Sequence, residues 1–192
     1  MRYEEAYKWA IYYRGALQPG CRRLEIAGGV RRHKADPHDI ELVAMSLPGH
    51  PPLQFGQPAH PTFLEAKIAE LQFSCQIRAV KDGPKYKQFE ALGDSGHFSI
   101  DLFIVSYPAD WGVIYMIRTG PADFSHWIVT PQSMGGALPD GHEVKDGAVW
   151  RIEDHQKITL PEEGDFFDFL KIPFILPEER RAQWKRRDKW QI

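Results

Sequence analysis

Three carboxylates stand out by residue type and spacing. Asp39 and Glu41 in "DIELVAM" lie two residues apart, and residues two apart on a strand share a face. Asp101 lies in "HFSIDLFIV", where Phe98, Ile100, Leu102 and Ile104 form one apolar face and Asp101 projects from the other. A carboxylate in so apolar a strand is costly to bury without a partner. If the two strands are neighbours in one sheet, three carboxylates crowd one patch and raise each other's pKa unless cations neutralise them. All-oxygen ligation suits Mg²⁺ or Mn²⁺ better than zinc. Two such ions about 4 Å apart activate an attacking oxygen and stabilise a leaving one in phosphoryl transfer. Just upstream, "AGGVRRHK" offers Gly28 and Gly29, whose backbone amides suit a triphosphate, and Arg31 and Arg32, whose guanidinium forks do the same. A plainer reading stays open beside this one: a Gly-Gly turn between two strands, followed by a solvated Asp-x-Glu face.

The elements that must position these groups follow from periodicity and punctuation. Ala6, Trp9, Ala10, Tyr13 and Leu17 recur at helical spacing, so Tyr3 to Leu17 reads as a helix. Strands are expected at "RLEIA" and "DIELVAM", and the Pro- and Gly-dense "SLPGHPPLQFGQPAHP" reads as a surface loop. "TFLEAKIAEL" reads as a helix opened by Thr62 with Glu65 three residues on, a capping-box pattern. Three more strands follow, "SCQIRAV", "YKQFEAL" and "HFSIDLFIV", separated by "KDGPK" and "GDSG". After Pro108 the character changes. "ADWGVIYMI" and "DFSHWIV" read as short helices, and Asp146-Gly147 within "HEVKDGAVWRI" is a hairpin signal. "EEGDFFDFL" and "PEERRAQWKRR" read as closing helices. A boundary near Tyr107-Pro108 divides the chain into residues 1–107 and 108–192.

With 192 residues, 43% hydrophobic and 26% charged, the chain can bury a real core and has no run long enough to cross a bilayer. The acidic opening "MRYEEAYKWA" is unlike a signal peptide. Two cysteines, Cys21 and Cys75, make neither a disulfide framework nor a zinc spacing, so a cytoplasmic setting is expected. A net charge of −2 hides clusters of basic residues, among them "CRRLEIAGGVRRHK" and the tail "ERRAQWKRRDKW". The tail has two readings: a solvated helix whose Trp184 and Trp190 pack on the body, or a phosphate-contacting extension. "GDSGH" resembles a protease nucleophile segment, but it joins two strands and reads as a polar turn. His33, His38, His50 and His60 do not fall at zinc spacings, and Trp111, Trp127 and Trp150 read as core.

In order along the chain, "IAGGVRRHKADPHDIELV", "FSIDLFIV", "GVIYMIRTGPADFS" and "EEGDFFDFLKIPFILPEER" resemble the nucleotidyltransferase core of the family X DNA polymerases, the DNA polymerase beta superfamily. The resemblance implies an α/β (α+β) fold: a palm with a mixed β-sheet and flanking helices, then a small α+β C-terminal subdomain. It implies Asp39, Glu41 and Asp101 as the catalytic, metal-binding triad, with Asp101 activating a primer 3′-hydroxyl. Gly28, Gly29 and Arg32 would hold the triphosphate, and Thr119 and Gly120 would lie against sugar and base, with Gly120-Pro121 at the place of a family cis peptide. Four positions depart from the family pattern: Gly29 stands where a serine is usual, Glu41 where an Asp is usual, and Ile117 and Arg118 where aromatics are usual.

The function so implied is a Mg²⁺- or Mn²⁺-dependent DNA polymerase. It would add dNMP from a dNTP to a primer on primer-template or gapped DNA, as in short-gap repair. The smallest form of the family is expected, a monomer with only palm and C-terminal subdomain and no membrane partner. Two alternatives stand beside it: template-independent nucleotide transfer to RNA, a protein or a small molecule, and a non-catalytic DNA- or nucleotide-binding module.

Overall fold

The structure is a computed structural model that describes residues 1–49 and 61–183. It divides into two compact units, Met1–Val105 and the remainder from Ser106. The first begins with α1 (Tyr3–Leu17), followed by a 3₁₀ turn at Gln18–Gly20, β1 (Cys21–Ile26), α2 (Gly28–Arg31) and β2 (Asp39–Ser46). Then come α3 (Phe63–Phe73), β3 (Arg78–Asp82), β4 (Tyr86–Gly93) and β5 (Gly96–Ile104). The strands form one mixed sheet in the order β1-β2-β5-β4-β3, with β2 and β5 parallel and the other pairs antiparallel.

One face of that sheet is apolar, and it decides where the other face points. Ile40, Leu42, Phe89, Ile100 and Leu102 are buried in one cluster with Ala6, Ala10, Tyr13 and Leu17 of α1 and Leu64, Ile68 and Leu71 of α3. Each large apolar side chain contributes roughly 1.5–3 kcal/mol when buried. A slip of one residue in β2 or β5 would therefore exchange this burial for buried carboxylates, so the register is strongly specified. α3 starts where its cap does: the Thr62 hydroxyl accepts from the Glu65 amide at 3.2 Å, and the Glu65 carboxylate accepts from the Thr62 amide at 2.7 Å. "GDSG" is the hairpin turn between β4 and β5, with Gly93 paired to Gly96 and Ser95 bonded to Glu5 of α1.

The second unit contains α4 (Trp111–Thr119), α5 (Ala122–Val129), an antiparallel sheet of β6 (His142–Lys145), β7 (Ala148–Arg151) and β8 (Lys157–Ile158), and α6 (Glu163–Leu170). Val113, Met116, Phe124, Ile128, Val149, Phe166 and Phe167 form its core. Asp146 and Gly147 both take positive φ (52° and 77°), as a type I′ hairpin requires. Asp110 organises the unit's start: it accepts from the Leu160 amide at 3.0 Å and from Lys157 Nζ at 2.8 Å.

Several expectations are corrected. Gly28-Gly29 opens the one-turn helix α2 rather than a plain turn. The strand expected from Ser74 begins at Arg78, because Ser74 caps α3 and Cys75 takes a left-handed φ of 56°. The closing helix from Pro177 is a 3₁₀ turn at Pro177–Glu179, and residues 180–183 are not helical. There Arg180 turns inward and is 2% exposed. The cis peptide lies at Tyr107-Pro108, and Gly120-Pro121 is trans. Trp111 and Trp127 are buried, whereas Trp150 is half-buried and donates its indole N–H to the Lys145 carbonyl. His50, His60, most of the Pro-rich loop and the tail from Trp184 lie outside the described residues.

Candidate active site

β2 and β5 run parallel with Asp39 opposite Ser99 and Glu41 opposite Asp101. Residues paired in register project to the same side, so all three carboxylates lie on the sheet face away from α1 and α3. The chain reaches this face through α2. Ala27 closes β1 by donating its amide to the Glu41 carbonyl at 2.8 Å, and Gly28 follows with φ +57°. A Cβ at Gly28 would lie 1.6 Å from Glu41 Oε2. The Glu41 carboxylate therefore rests directly over the Gly28 backbone, an approach that only glycine permits. Gly29 has an ordinary φ, and a Cβ there would come 3.3 Å from Pro37, a fit that needs only slight give. Arg32 ends the turn, its amide donating to the Gly28 carbonyl at 3.1 Å.

Asp101 is held by two neighbours that the sequence pattern did not single out. Tyr86 Oη donates to Asp101 Oδ1 at 2.9 Å, and Gln88 Nε2 donates to the same oxygen at 3.0 Å. Tyr86 is itself fixed by stacking on Phe103, with ring centroids 5.1 Å apart. A signal for Gln88 was present: counting back from the Gly93–Gly96 pair of a two-residue turn places Gln88 opposite Asp101. Tyr86 carries no such signal, because its bond crosses diagonally to Asp101 while its ladder partner is Phe103.

Electrostatics tie the aspartates together. Burial, and after it the charge of Asp101, hold the Asp39 carboxyl above its ordinary value, while its own backbone amide, His38 and Lys34 pull the other way. Among the described residues, however, no three His, Cys, Asp or Glu side chains are gathered as a metal cluster. The reason is visible in the side chains: Asp101 Oδ1 faces Tyr86 and Gln88, and Glu41 Oε2 covers Gly28. Carboxylates on a shared face repel without a cation between them. In type the donors suit a hard divalent ion, being all oxygen, and the backbone register sets them on one face of two neighbouring strands.

Thr119 and Gly120 belong to the second unit. Thr119 is the last residue of α4 and fully buried. Gly120 caps that helix, and a Cβ there would press to 2.5 Å from Phe124 and 2.8 Å from the Ser125 hydroxyl. Ser125 in turn donates to the Ile117 carbonyl at 2.6 Å, so the α4–α5 corner is tightly built.

Neither the family models nor the curated proteins contain a match to this chain. Solved structures do, and the fold is polymerase beta-like: a mixed five-stranded sheet with flanking helices. One of them is the crystal structure of Leishmania infantum polymerase beta in a ternary P/T complex. The two are similar at a TM-score of 0.70 with 14% sequence identity, over 95% of this chain and 77% of that one.

Proposed function

We propose that the chain is a nucleotidyltransferase of the DNA polymerase beta superfamily, adding dNMP from a dNTP to a primer 3′-hydroxyl on gapped DNA. The single observation that carries this reading is the parallel register that sets Glu41 beside Asp101, with Asp39 one step along the same face. In the reaction the acceptor oxygen bonds to the α-phosphorus, the bond from that phosphorus to the α,β-bridging oxygen breaks, and pyrophosphate leaves. The acceptor proton passes to Asp101, at Oδ2, because Oδ1 already accepts from Tyr86 and Gln88. Asp39, Glu41 and Asp101 would hold Mg²⁺ or Mn²⁺, which supplies positive charge at the attacking and leaving oxygens. Gly28, Gly29 and Arg32 would bind the triphosphate.

A second reading is template-independent transfer, favoured by Ile117-Arg118 before Thr119-Gly120, where the family has aromatics. Extension of a labelled primer on gapped DNA with Mg²⁺ or Mn²⁺, comparing wild type with Asp101→Ala, separates the two. Template-matched addition lost in the variant is expected. Untemplated addition would support the second reading, and no transfer to DNA, RNA or small acceptors would sink both.

A further inference from the structure

Strand β1 is an edge of the first unit's sheet, and it carries an irregularity with a chemical result. Its pairing with β2 runs from Cys21 opposite Ser46 to Arg23 opposite Met45, so Arg22 is an extra, bulged residue. Neighbours on a regular strand point to opposite faces, but bulges re-aim side chains, above all at edges. Here Arg22 and Arg23 both line one hollow of about 550 Å³ between β1 and the end of α1. Arg14, Gly15, Gln18 and Glu25 line it too. Arg14 is fixed in place, its Nε donating to the Leu24 carbonyl at 3.0 Å and its Nη2 lying 3.2 Å from Glu25. The helix side is open, since a Cβ added at Gly15 would meet nothing within 4 Å. Glu25 matches the charge of Arg14, and Arg22 and Arg23 bring two further guanidinium groups to the same hollow, on a chain whose net charge is −2.

We infer that this bulged edge binds the sugar–phosphate backbone of a nucleic-acid strand. Guanidinium forks match phosphate oxygens two at a time. The hollow is wide and open rather than closed around one anion, and an acidic chain that grips a polyanion must do so through local concentrations of positive charge. The inference rests on the proposed nucleic-acid acceptor but concerns the β1 edge of the sheet, two strands away from Asp101.

The test measures binding of labelled gapped duplex to the full chain across a salt series, with neither nucleotide nor metal present, so its outcome is independent of whether transfer occurs. Two variants are compared with wild type. Arg22→Glu reverses an exposed charge, and Gly15→Glu places a carboxylate in the open wall while improving helix propensity. Both should weaken binding alike for any DNA sequence. Each should flatten the dependence of log affinity on log salt by about 0.9 for every phosphate no longer neutralised. Unchanged affinity and slope in both variants would overturn the inference. So would thermal stabilisation by inorganic phosphate, at fixed ionic strength, that Gly15→Glu abolishes while the DNA slope stays put, since the hollow would then serve a free anion.

Discussion

The chemistry of the proposed site turns on which oxygen of Asp101 is free. Tyr86 and Gln88 both donate to Oδ1, and hydrogen bonds to a charged group contribute roughly 1.5–3 kcal/mol. They fix the carboxylate's rotation without neutralising it, so they act as positioning residues. Tyr86→Phe and Gln88→Leu should each lower kcat by about tenfold or more, since 1.4 kcal/mol is a factor of ten in rate, and leave the KM for nucleotide nearly unchanged. Steady-state kinetics that instead moved KM alone would assign these residues to nucleotide binding. Gly28 sets a separate constraint. Its left-handed φ costs any L side chain about 1–2 kcal/mol, and a Cβ would strike Glu41 Oε2. Gly28→Ala should therefore lower the thermal midpoint and displace Glu41 together. Wild-type stability and activity in that variant would show that Glu41 does not need its seat on Gly28.

At the scale of elements, local signals were legible where a single force dominates. The Thr62–Glu65 cap, the Asp146-Gly147 hairpin and the alternation of Ile100 and Leu102 with Asp101 each follow from near neighbours in the chain. The parallel pairing of β2 with β5 is not legible locally, because partners about sixty residues apart leave no trace in the near neighbours of either strand. Failures came where tertiary contacts override propensity. The segment "PEERRAQWKRR" has helical composition, yet Arg180 enters the second unit's interior. There its Nη1 meets Glu163 at 2.8 Å, its Nε donates to the Ile175 carbonyl at 3.2 Å, and its guanidinium lies over Phe167 at 5.4 Å. The side chains of Arg180 and Glu163 are 0% and 7% exposed. Removing one partner of such a pair leaves a buried charge and costs about 3–5 kcal/mol. Arg180→Ala should lose about that much in denaturant unfolding, and more than an exposed pair such as Lys8–Asp94 loses on truncation.

For the whole molecule, the carboxylate face carries a cost that the core must offset. Burial and the nearby Asp101 charge raise the Asp39 carboxyl above its ordinary value, so the native chain keeps that proton to a higher pH than the unfolded chain does. In the window just above the ordinary carboxylate pKa, the native state thus binds more protons, and stability falls as pH rises. Near pH 7 the window has passed and the full cost remains. Asp39→Asn should therefore stabilise the metal-free protein at pH 7 and flatten its stability profile on the acid side. A divalent cation should do the same for the wild type by binding only the native state. Its stabilisation is about 2.7 kcal/mol when present at 100 times its Kd, and each 1 kcal/mol moves the midpoint of a chain this size by about 2–4 °C. Thermal melts with and without Mg²⁺ check both statements without reference to activity. The rise should appear in the wild type and shrink in Asp39→Asn and Asp101→Asn. An equal rise in all three would mean that the ion binds elsewhere, and a destabilised Asp39→Asn would mean that Asp39 serves the fold rather than a charged site on it.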